Sequence, residues 1–431
     1  MTTATVIGLG KIGLPLAVQM AGAGVRTWGV DISPGVVAQV AAGQPPFPGE
    51  PELEERLGVV VGSGMLTPTT DVAQAVAESD VVIVVVPLVV DAEARPAFGA
   101  LDGATAALAP SLRPGTLVVY ETTLPVGTTR SRFVPALAQA SGLEPGSDLL
   151  VAHSPERVSS GTVFRDLRRY PKLVGGVDAA SAARAVAFYR EVLEFDERPE
   201  LPRPNGVWDL GSAEAAELTK LAETTYRDLN IAFSNELAVY AEGLGIDIAQ
   251  VVAAANSQPY SHLHAPGLVG GHCIPVYPWF LLAGAPELRL PRAGREVNEA
   301  VPRHVVDRLA GAVGDLRGRR VAILGLAYRG GVKELGFSGA LALVKVLQAR
   351  GAVPVLHDPL WSADEIRALD LEPYQLGAHC DAAIVQAEHD EYRTLGPADI
   401  PGAAALFDLR RCTPTEGWGQ VHRLVLGLPP S

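Results

Sequence analysis

Short apolar runs alternate with amphipathic stretches along the first half of the chain. Residues 4–8, ATVIG, have the unbroken apolar character of a strand buried on both faces. Glycines at 8, 10 and 13 follow, and a helical apolar pattern continues to about Gly24. VRTWGVD (25–31) is the next strand, and VVIVVV (81–86), LVVY (117–120) and LLVA (149–152) follow with helical stretches between them. Strands alternating with helices predict a parallel, doubly wound α/β sheet.

The pattern breaks at RPELPRPNG (198–206), where three prolines predict a stiff linker. From Ser212 to about Gly243 the spacing predicts one long helix. Leu218, Leu221, Thr225, Leu229, Ala232, Phe233, Leu237 and Tyr240 recur on it at steps of three and four. Such a stripe packs either on its own domain or against a second subunit, and periodicity does not choose between them. A second α/β pattern starts near Arg319. RRVAILGLAY (319–328) is a strand entering a Gly loop, a helix follows to about Arg350, and AVPVLHDP (352–359), AAIVQA (382–387) and ALFDL (405–409) are further strands. The expected organisation is two Rossmann-like domains, 1–198 and 301–431, joined by a helical segment, 199–300.

Composition narrows the partners. The 431 residues are 48% hydrophobic and 19% charged, as in an ordinary globular protein, and the 34 prolines and 45 glycines are dispersed as turns. A net charge of -13 argues against a nucleic-acid partner. Cys273, Cys380 and Cys412 make no disulfide framework and have no metal-ligand spacing, so no metal is expected. The apolar run at 81–90 is too short for a membrane span and holds a proline, and the first residues lack the basic start of a signal peptide. A soluble, cytoplasmic protein is expected.

Gly8-Leu9-Gly10-Lys11-Ile12-Gly13 fits the dinucleotide fingerprint. The first glycine permits the tight turn, the second lets the backbone approach a pyrophosphate, and the third lets helix and strand pack closely. The helix N-terminus offers free N–H groups to the phosphates. Asp31 ends the second strand at the spacing expected of a ribose-binding carboxylate. It would repel a 2′-phosphate, which favours NAD over NADP.

Further motifs follow in order. Glu121-Thr-Thr-Leu-Pro-Val-Gly-Thr-Thr129 follows the fourth strand, and Ser154-Pro-Glu-Arg-Val158 with Gly161 follows the fifth. Glu217-Leu-Thr-Lys220 lies on the long helix and leads into Thr225–Phe233 and Asn235-Glu-Leu. Gly270-Gly-His-Cys273-Ile-Pro, Leu324-Gly-Leu-Ala-Tyr328-Arg and His389-Asp-Glu-Tyr392 complete the series. Together, over nearly the whole chain, they resemble the UDP-glucose/GDP-mannose dehydrogenase family. The Pro-Glu-Arg form at 155–157 looks most like members that oxidise UDP-N-acetylhexosamines such as UDP-N-acetylmannosamine.

The resemblance implies an N-terminal NAD domain, a helical middle that forms homodimers, and a C-terminal domain that helps bind a nucleotide-diphosphate sugar. It implies oxidation of a C6 alcohol to a carboxylate through a thiohemiacetal and a thioester, chemistry that suits cysteine as nucleophile and leaving group. A lone cysteine in a Gly-rich loop reads first as a small buried thiol; the surrounding motifs turn Cys273 into the implied nucleophile. Lys220 is the implied electrostatic stabiliser, and Glu156 and Thr123 match positions serving the water or substrate and the cofactor side. Gly8, Gly10, Lys11, Ile12, Gly13 and Asp31 complete the cofactor set. Substrate binding falls to Arg157, Val158, Gly270, Gly271, Arg295, Tyr328 and Arg329, the last matching a basic residue for the diphosphate. Arg295 reads equally well as a solvent-exposed arginine at a helix start.

Several positions depart from the family pattern. Thr224 stands for an Asn one turn after Lys220, Tyr277 for an Asp four residues after Cys273, Tyr260 for an Arg, Gly336 for an Arg, and Leu88 for a Thr. Without the carboxylate at 277, burial would lower the pKa of Lys220 and let a neutral lysine act as general base. Thr224 offers a hydroxyl where an amide has two donors. Thioester formation and hydrolysis are the steps most exposed to these losses. Two enzyme readings therefore stand: a four-electron 6-dehydrogenase, or a single oxidation to a carbonyl or transient use of bound NAD for epimerisation or elimination. The retained Gly8, Gly10, Gly13, Lys220 and Cys273 argue against a non-catalytic nucleotide-sugar sensor.

Overall fold

A computed structural model describes residues 2–429. The chain forms two compact units, Met1–Ala222 with Trp279–Pro286 and Glu223–Pro278 with Glu287–Ser431. No helix of the described residues is long and apolar enough to cross a membrane.

The first unit is built on β1 (Thr3–Ile7), β2 (Arg26–Val30), β3 (Leu66–Thr69), β4 (Val81–Val84), the small hairpin β5 (Val89–Val90) and β6 (Pro96–Ala97), β7 (Leu117–Tyr120), β8 (Leu150–His153), β9 (Lys172–Gly176) and β10 (Val207–Asp209). Apart from the hairpin these make one sheet, in the order β10-β9-β8-β7-β4-β1-β2-β3. Every pairing is parallel except β8 with β9, where His153 opposes Gly175. Five strands absent from the apolar reading join here or beside it: β3, β9, β10 and the two of the hairpin. β3 is half polar and carries Pro68, which a ladder tolerates because β3 is the sheet edge. The proline-rich stretch 198–206 leads directly into β10 at the other edge, so the first unit continues past Arg198. Val6, Ile83, Val119, Leu14 and Phe188 are among the side chains closing its core.

The second unit holds β11 (Arg320–Leu324), β12 (Val353–His357), β13 (Ala382–Val385), β14 (Ala405–Asp408) and β15 (His422–Val425), all parallel, in the order β12-β11-β13-β14-β15. Val321, Ile323, Ile384 and Phe407 pack with Leu343 and Leu347 beneath it. In both sheets consecutive strands leave the first one in opposite directions, at β1 between β2 and β4 and at β11 between β12 and β13. Ligand crevices open at the carboxyl ends of strands at such switch points.

The long helix spans Ala213–Leu244, 32 residues. Its apolar stripe does not turn inward as a set: Leu221, Thr225 and Ala232 are buried, while Leu218, Phe233 and Tyr240 are exposed. The inward face instead carries Glu217, Lys220, Thr224, Asp228 and Asn235, all 7% exposed or less. A helix whose polar residues are the buried ones binds or positions something polar.

Candidate active site

At the first switch point, Gly8 takes φ 100 and donates its N–H to the Val30 carbonyl at 2.8 Å. A Cβ on Gly8 would stand 3.0 Å from the Val85 oxygen, and one on Gly13 only 1.9 Å from the Gly8 oxygen. Those two glycines are there for close backbone packing. Gly10 differs: a Cβ there would meet nothing within 4 Å, so open space lies over its backbone. Lys11 and Ile12 carry the loop into the helix Gly13–Gly22, with Ile12 at its N-cap position. Asp31 accepts the Leu9 N–H at 3.0 Å and the Ser33 N–H at 2.9 Å, which fixes its carboxylate beside the glycine turn with acceptor capacity left for ribose hydroxyls. The open cradle at Gly10, the helix start beside it and the oriented Asp31 together fit NAD.

Beyond β7, Thr122 donates to the Val86 carbonyl at 2.6 Å and Thr123 is buried. The turn that follows is held by Glu217. Its carboxylate accepts the N–H of Gly127 at 2.5 Å and both the N–H and the hydroxyl of Thr129, at 2.8 and 2.6 Å. Burial pushes Glu217 up to about 7 in spite of these donors. Lys220 follows Glu217 by three residues on this anchored stretch of helix and is buried, as is Thr224 one turn later.

Glu156 stands just past β8. Lys172, the first residue of β9, donates to it at 2.7 Å and to Glu121 at 2.9 Å. Burial alone would raise Glu156, but the charge and hydrogen bond of Lys172 outweigh it and hold the carboxyl below its usual range. Glu121 goes the other way: burial pushes it up to about 7. The loop after Glu156, with Arg157 and Val158, is clamped from two sides. Glu50 accepts the N–H groups of Gly161 and Val163, and Asp166 accepts the Ser159 N–H and the Thr162 hydroxyl.

In the second unit, Cys273 lies on a loop pinned by glycines. Gly271 has φ 85 and donates to the Gly336 carbonyl at 3.1 Å. A Cβ on Gly270 would come within 2.8 Å of the Tyr328 Cβ, so this loop rests directly on the turn after β11. The absence of a side chain at Gly336 has a local cause: a Cβ there would lie 2.4 Å from the His272 imidazole. Cys273 is half-buried and its carbonyl accepts the Tyr277 N–H at 3.0 Å, starting the helix Tyr277–Gly284. Of the other thiols, Cys380 is buried and Cys412 is half-buried. Burial pushes Cys380 up and Cys412 up to about 12, which keeps both protonated and unreactive.

The turn after β11 is organised by Asp358, which accepts the N–H groups of Leu326 and Ala327 at 2.8 and 3.2 Å and contacts His389 at 3.2 Å. Tyr328 and Arg329 extend from this turn, the Arg329 Nε donating to the Tyr328 hydroxyl at 3.3 Å. Arg410 reaches the Tyr328 carbonyl at 3.2 Å and the Gln386 carbonyl at 2.6 Å, a cation beside the crevice that no sequence motif signalled. Arg295 is 4% exposed, with Asp228 at 2.7 Å and Glu299 at 3.2 Å. It is therefore not the solvent-exposed helix-start arginine that its sequence position allows; with Asn298, which also donates to Asp228, it ties two helices together.

Two nucleotide-binding folds, one with a dinucleotide turn and one carrying a cysteine loop against its own crevice, define a nucleotide-dependent oxidoreductase. The chain matches the UDP-glucose/GDP-mannose dehydrogenase family in three consecutive parts: its NAD binding domain over residues 2–193, its central domain over 214–300 and its UDP binding domain over 322–415. It is 33% identical to the UDP-N-acetyl-D-mannosamine dehydrogenase of Pyrococcus horikoshii across 90% of either chain. It is 32% identical to the NDP-N-acetyl-D-galactosaminuronic acid dehydrogenase of Ralstonia solanacearum, across 91% of this chain and 92% of that one. The solved structure of the Pyrococcus enzyme superposes with a TM-score of 0.87 at 30% identity, covering 99% of both chains. A UDP-glucose dehydrogenase from Pyrobaculum islandicum gives 0.85 at 26% identity, over 99% of this chain and 98% of that one. The protein belongs to the UDP-glucose/GDP-mannose dehydrogenase family, and its cofactor is NAD.

Proposed function

We propose that this chain oxidises the C6 alcohol of a UDP-N-acetylhexosamine to the uronate. The observation that carries the reading is the half-buried Cys273 on its glycine-pinned loop, in a chain whose other two thiols are held protonated by burial. The names of the Pyrococcus and Ralstonia relatives support the sugar class.

NAD, when bound through Gly8, Gly10, Lys11, Ile12, Gly13, Asp31 and Thr123, supplies the hydride acceptor. Cys273 as thiolate adds to the C6 aldehyde carbon and leaves again when water cleaves the thioester. Lys220 balances the charge on sulfur and on the carbonyl oxygen, with the Thr224 hydroxyl as a further donor. Glu156, kept ionised by Lys172, takes the proton of the attacking water. Arg157, Val158, Gly270, Gly271, Tyr328 and Arg329 bind the nucleotide sugar, Arg329 through its diphosphate. Arg295 supports the helix that frames it.

A second reading rests on Tyr277 and Thr224, which stand where the family pattern has Asp and Asn: a single oxidation to a carbonyl, or transient oxidation within an epimerisation or elimination. Incubation with NAD and a panel of UDP- and GDP-sugars, counting NADH per sugar and weighing the product, separates the two. Two NADH and a carboxylate mass fit the first reading; one or none, with a carbonyl or an unchanged mass, fits the second.

We also propose that the chain works as a homodimer. Exposed Phe233, Val239 and Tyr240 border an open groove of about 560 Å³ with Leu237, Val297 and Val301, an apolar surface of the kind subunits cover. Light scattering on the purified protein gives the mass that tests this.

A further inference from the structure

Glu156 is the outer member of a buried charge cluster. Its side chain is 12% exposed, whereas Lys172 behind it is 4% exposed and Glu121 is sealed off completely. The cluster exists because β9 runs against β8. His153 opposes Gly175 and Ala152 opposes Gly176, so the same register carried past the strand ends sets Glu156 opposite Lys172. A parallel β9 would start at the other end of the sheet. Glu121 directly follows the neighbouring strand β7, and Lys172 spans the two carboxylates.

Several polar and titratable groups among the described residues face the pair, and the Arg157 N–H donates to Glu156 at 2.7 Å. The Tyr189 hydroxyl, from the helix Ala179–Val192, donates to the second oxygen of Glu121. His153 on β8 is fully buried, pushed down to about 3 by burial and by the Lys172 charge, and is therefore neutral. Ser154 spends its hydroxyl on the Leu173 carbonyl, and Arg157 turns to the Pro171 carbonyl. Two carboxylates on one ammonium leave an excess negative charge in a largely buried site, and such a site lowers its energy by holding a proton.

We propose that Lys172 and Glu121 are positioning residues that form with Glu156 a proton-sharing triad, in which a proton taken up at Glu156 is passed through the Lys172 ammonium to Glu121. The inference rests on the reading of Glu156 as the base of sugar oxidation. The transfer balances: Lys172 gives one proton to Glu121 and receives one from protonated Glu156. The lysine is unchanged, Glu156 is again a carboxylate, and Glu121 is a neutral acid. The proton returns by the same route when product leaves. The triad thereby gives Glu156 a second carboxyl within the first unit on which the proton can rest.

The test has an arm that needs no turnover. In protein labelled with carbon-13 at the glutamate side-chain carboxyls, a pH titration followed by NMR should show Glu121 and Glu217 as buried carboxyls titrating near 7. One of these signals should vanish in Glu121→Gln and the other in Glu217→Gln. Lys172→Met should move the Glu121 midpoint upward, and Lys172→Arg should return it. In the second arm, the acid limb of the kcat/KM profile, near neutral in the natural protein, should drop out of the neutral range in Glu121→Gln while the rate falls about tenfold. A wild-type titration without the Glu121 signal, or one unchanged by Glu121→Gln, overturns the triad. A normal titration with a pH–rate profile that Glu121→Gln leaves unmoved overturns the relay. If no sugar is turned over but the titration behaves as stated, the failure lies with the reading of Glu156 as base and the relay falls with it, while the shared proton stands.

Discussion

The carboxylate of Glu217 accepts both the backbone N–H and the side-chain hydroxyl of Thr129, joining the turn after β7 to the start of the long helix. With Gly127 it gathers three donors on two acceptor oxygens, and an amide offers only one such oxygen. Glu217→Gln presents an amide N–H₂ to backbone N–H groups, and we expect a loss of roughly 2–3 kcal/mol. Urea unfolding with an unchanged m value would report it.

Gly10 and Gly13 belong to one fingerprint but have opposite surroundings. At Gly13 a methyl would lie 1.9 Å from the Gly8 oxygen, so Gly13→Ala should destabilise the first unit by about 3 kcal/mol. At Gly10 the space is open, so Gly10→Ala should leave thermal unfolding within about 0.5 kcal/mol of the natural protein. It should still weaken NAD binding about tenfold or more, because the methyl stands where the pyrophosphate approaches. Calorimetry of unfolding and of NAD titration tests both variants side by side.

His272 and Gly336 are coupled through space, since a Cβ at 336 would meet the imidazole at 2.4 Å. Gly336→Ala should turn the His272 ring away and cost about 1–2 kcal/mol. It should also change the rate at which iodoacetamide alkylates Cys273 on the same loop. In the His272→Ala background Gly336→Ala should be nearly silent, and a double-mutant cycle with zero coupling would refute the contact.

Tyr277 begins a helix whose first N–H is held by the Cys273 carbonyl. Tyr277→Asp introduces a carboxylate four residues after the thiol. If thioester hydrolysis limits turnover, this variant should release uronate about tenfold faster. The Cys273-bound sugar found by mass spectrometry of quenched protein should shrink in proportion.

Stability should depend on pH with a definite sign. Glu121 and Glu217 are raised to about 7 by burial, so their contribution is complete below the usual carboxylate range and is lost as pH rises through 7. Glu242 and Asp358 run opposite. Burial would raise both, but bonds from His304 and Gly427 with the charge of Arg308, and from His389 and Leu360, outweigh it and hold them low. Their contribution is present above the usual range and is lost as pH falls through their folded values. Glu121 and Glu217 should therefore raise the urea midpoint at pH 5 relative to pH 8, by the equivalent of roughly 1–3 kcal/mol, against an opposing loss from His153, whose folded value of about 3 lies below its usual one. Glu217→Gln should flatten that difference.

Local chemistry is legible wherever a residue's role is set by its neighbours in sequence. The glycine turn at 8–13, Asp31 at the end of β2 and the apolar strands through Val81, Leu117, Arg320 and Ala382 follow from turn dihedrals and side-chain period alone. The long helix is likewise visible from its spacing, within a residue or so of Ala213–Leu244. Polar strands at sheet edges are not: β3 and β10 are stabilised by a neighbour's ladder and carry no apolar signature of their own.

The sequence by itself determined the two nucleotide folds, the order of the motifs and the presence of Cys273, because turn geometry and periodic burial are properties of short segments. Tertiary structure alone decided that the long helix buries Glu217 and Lys220 and exposes Phe233 and Tyr240. It alone decided that Arg295 is spent on Asp228, and that Lys172 meets Glu121 across 51 positions of sequence. These pairings depend on which strands lie side by side and which way each runs. A single antiparallel neighbour in an otherwise parallel sheet brought a lysine to the end where two carboxylates wait, and no local pattern of residues encodes that direction.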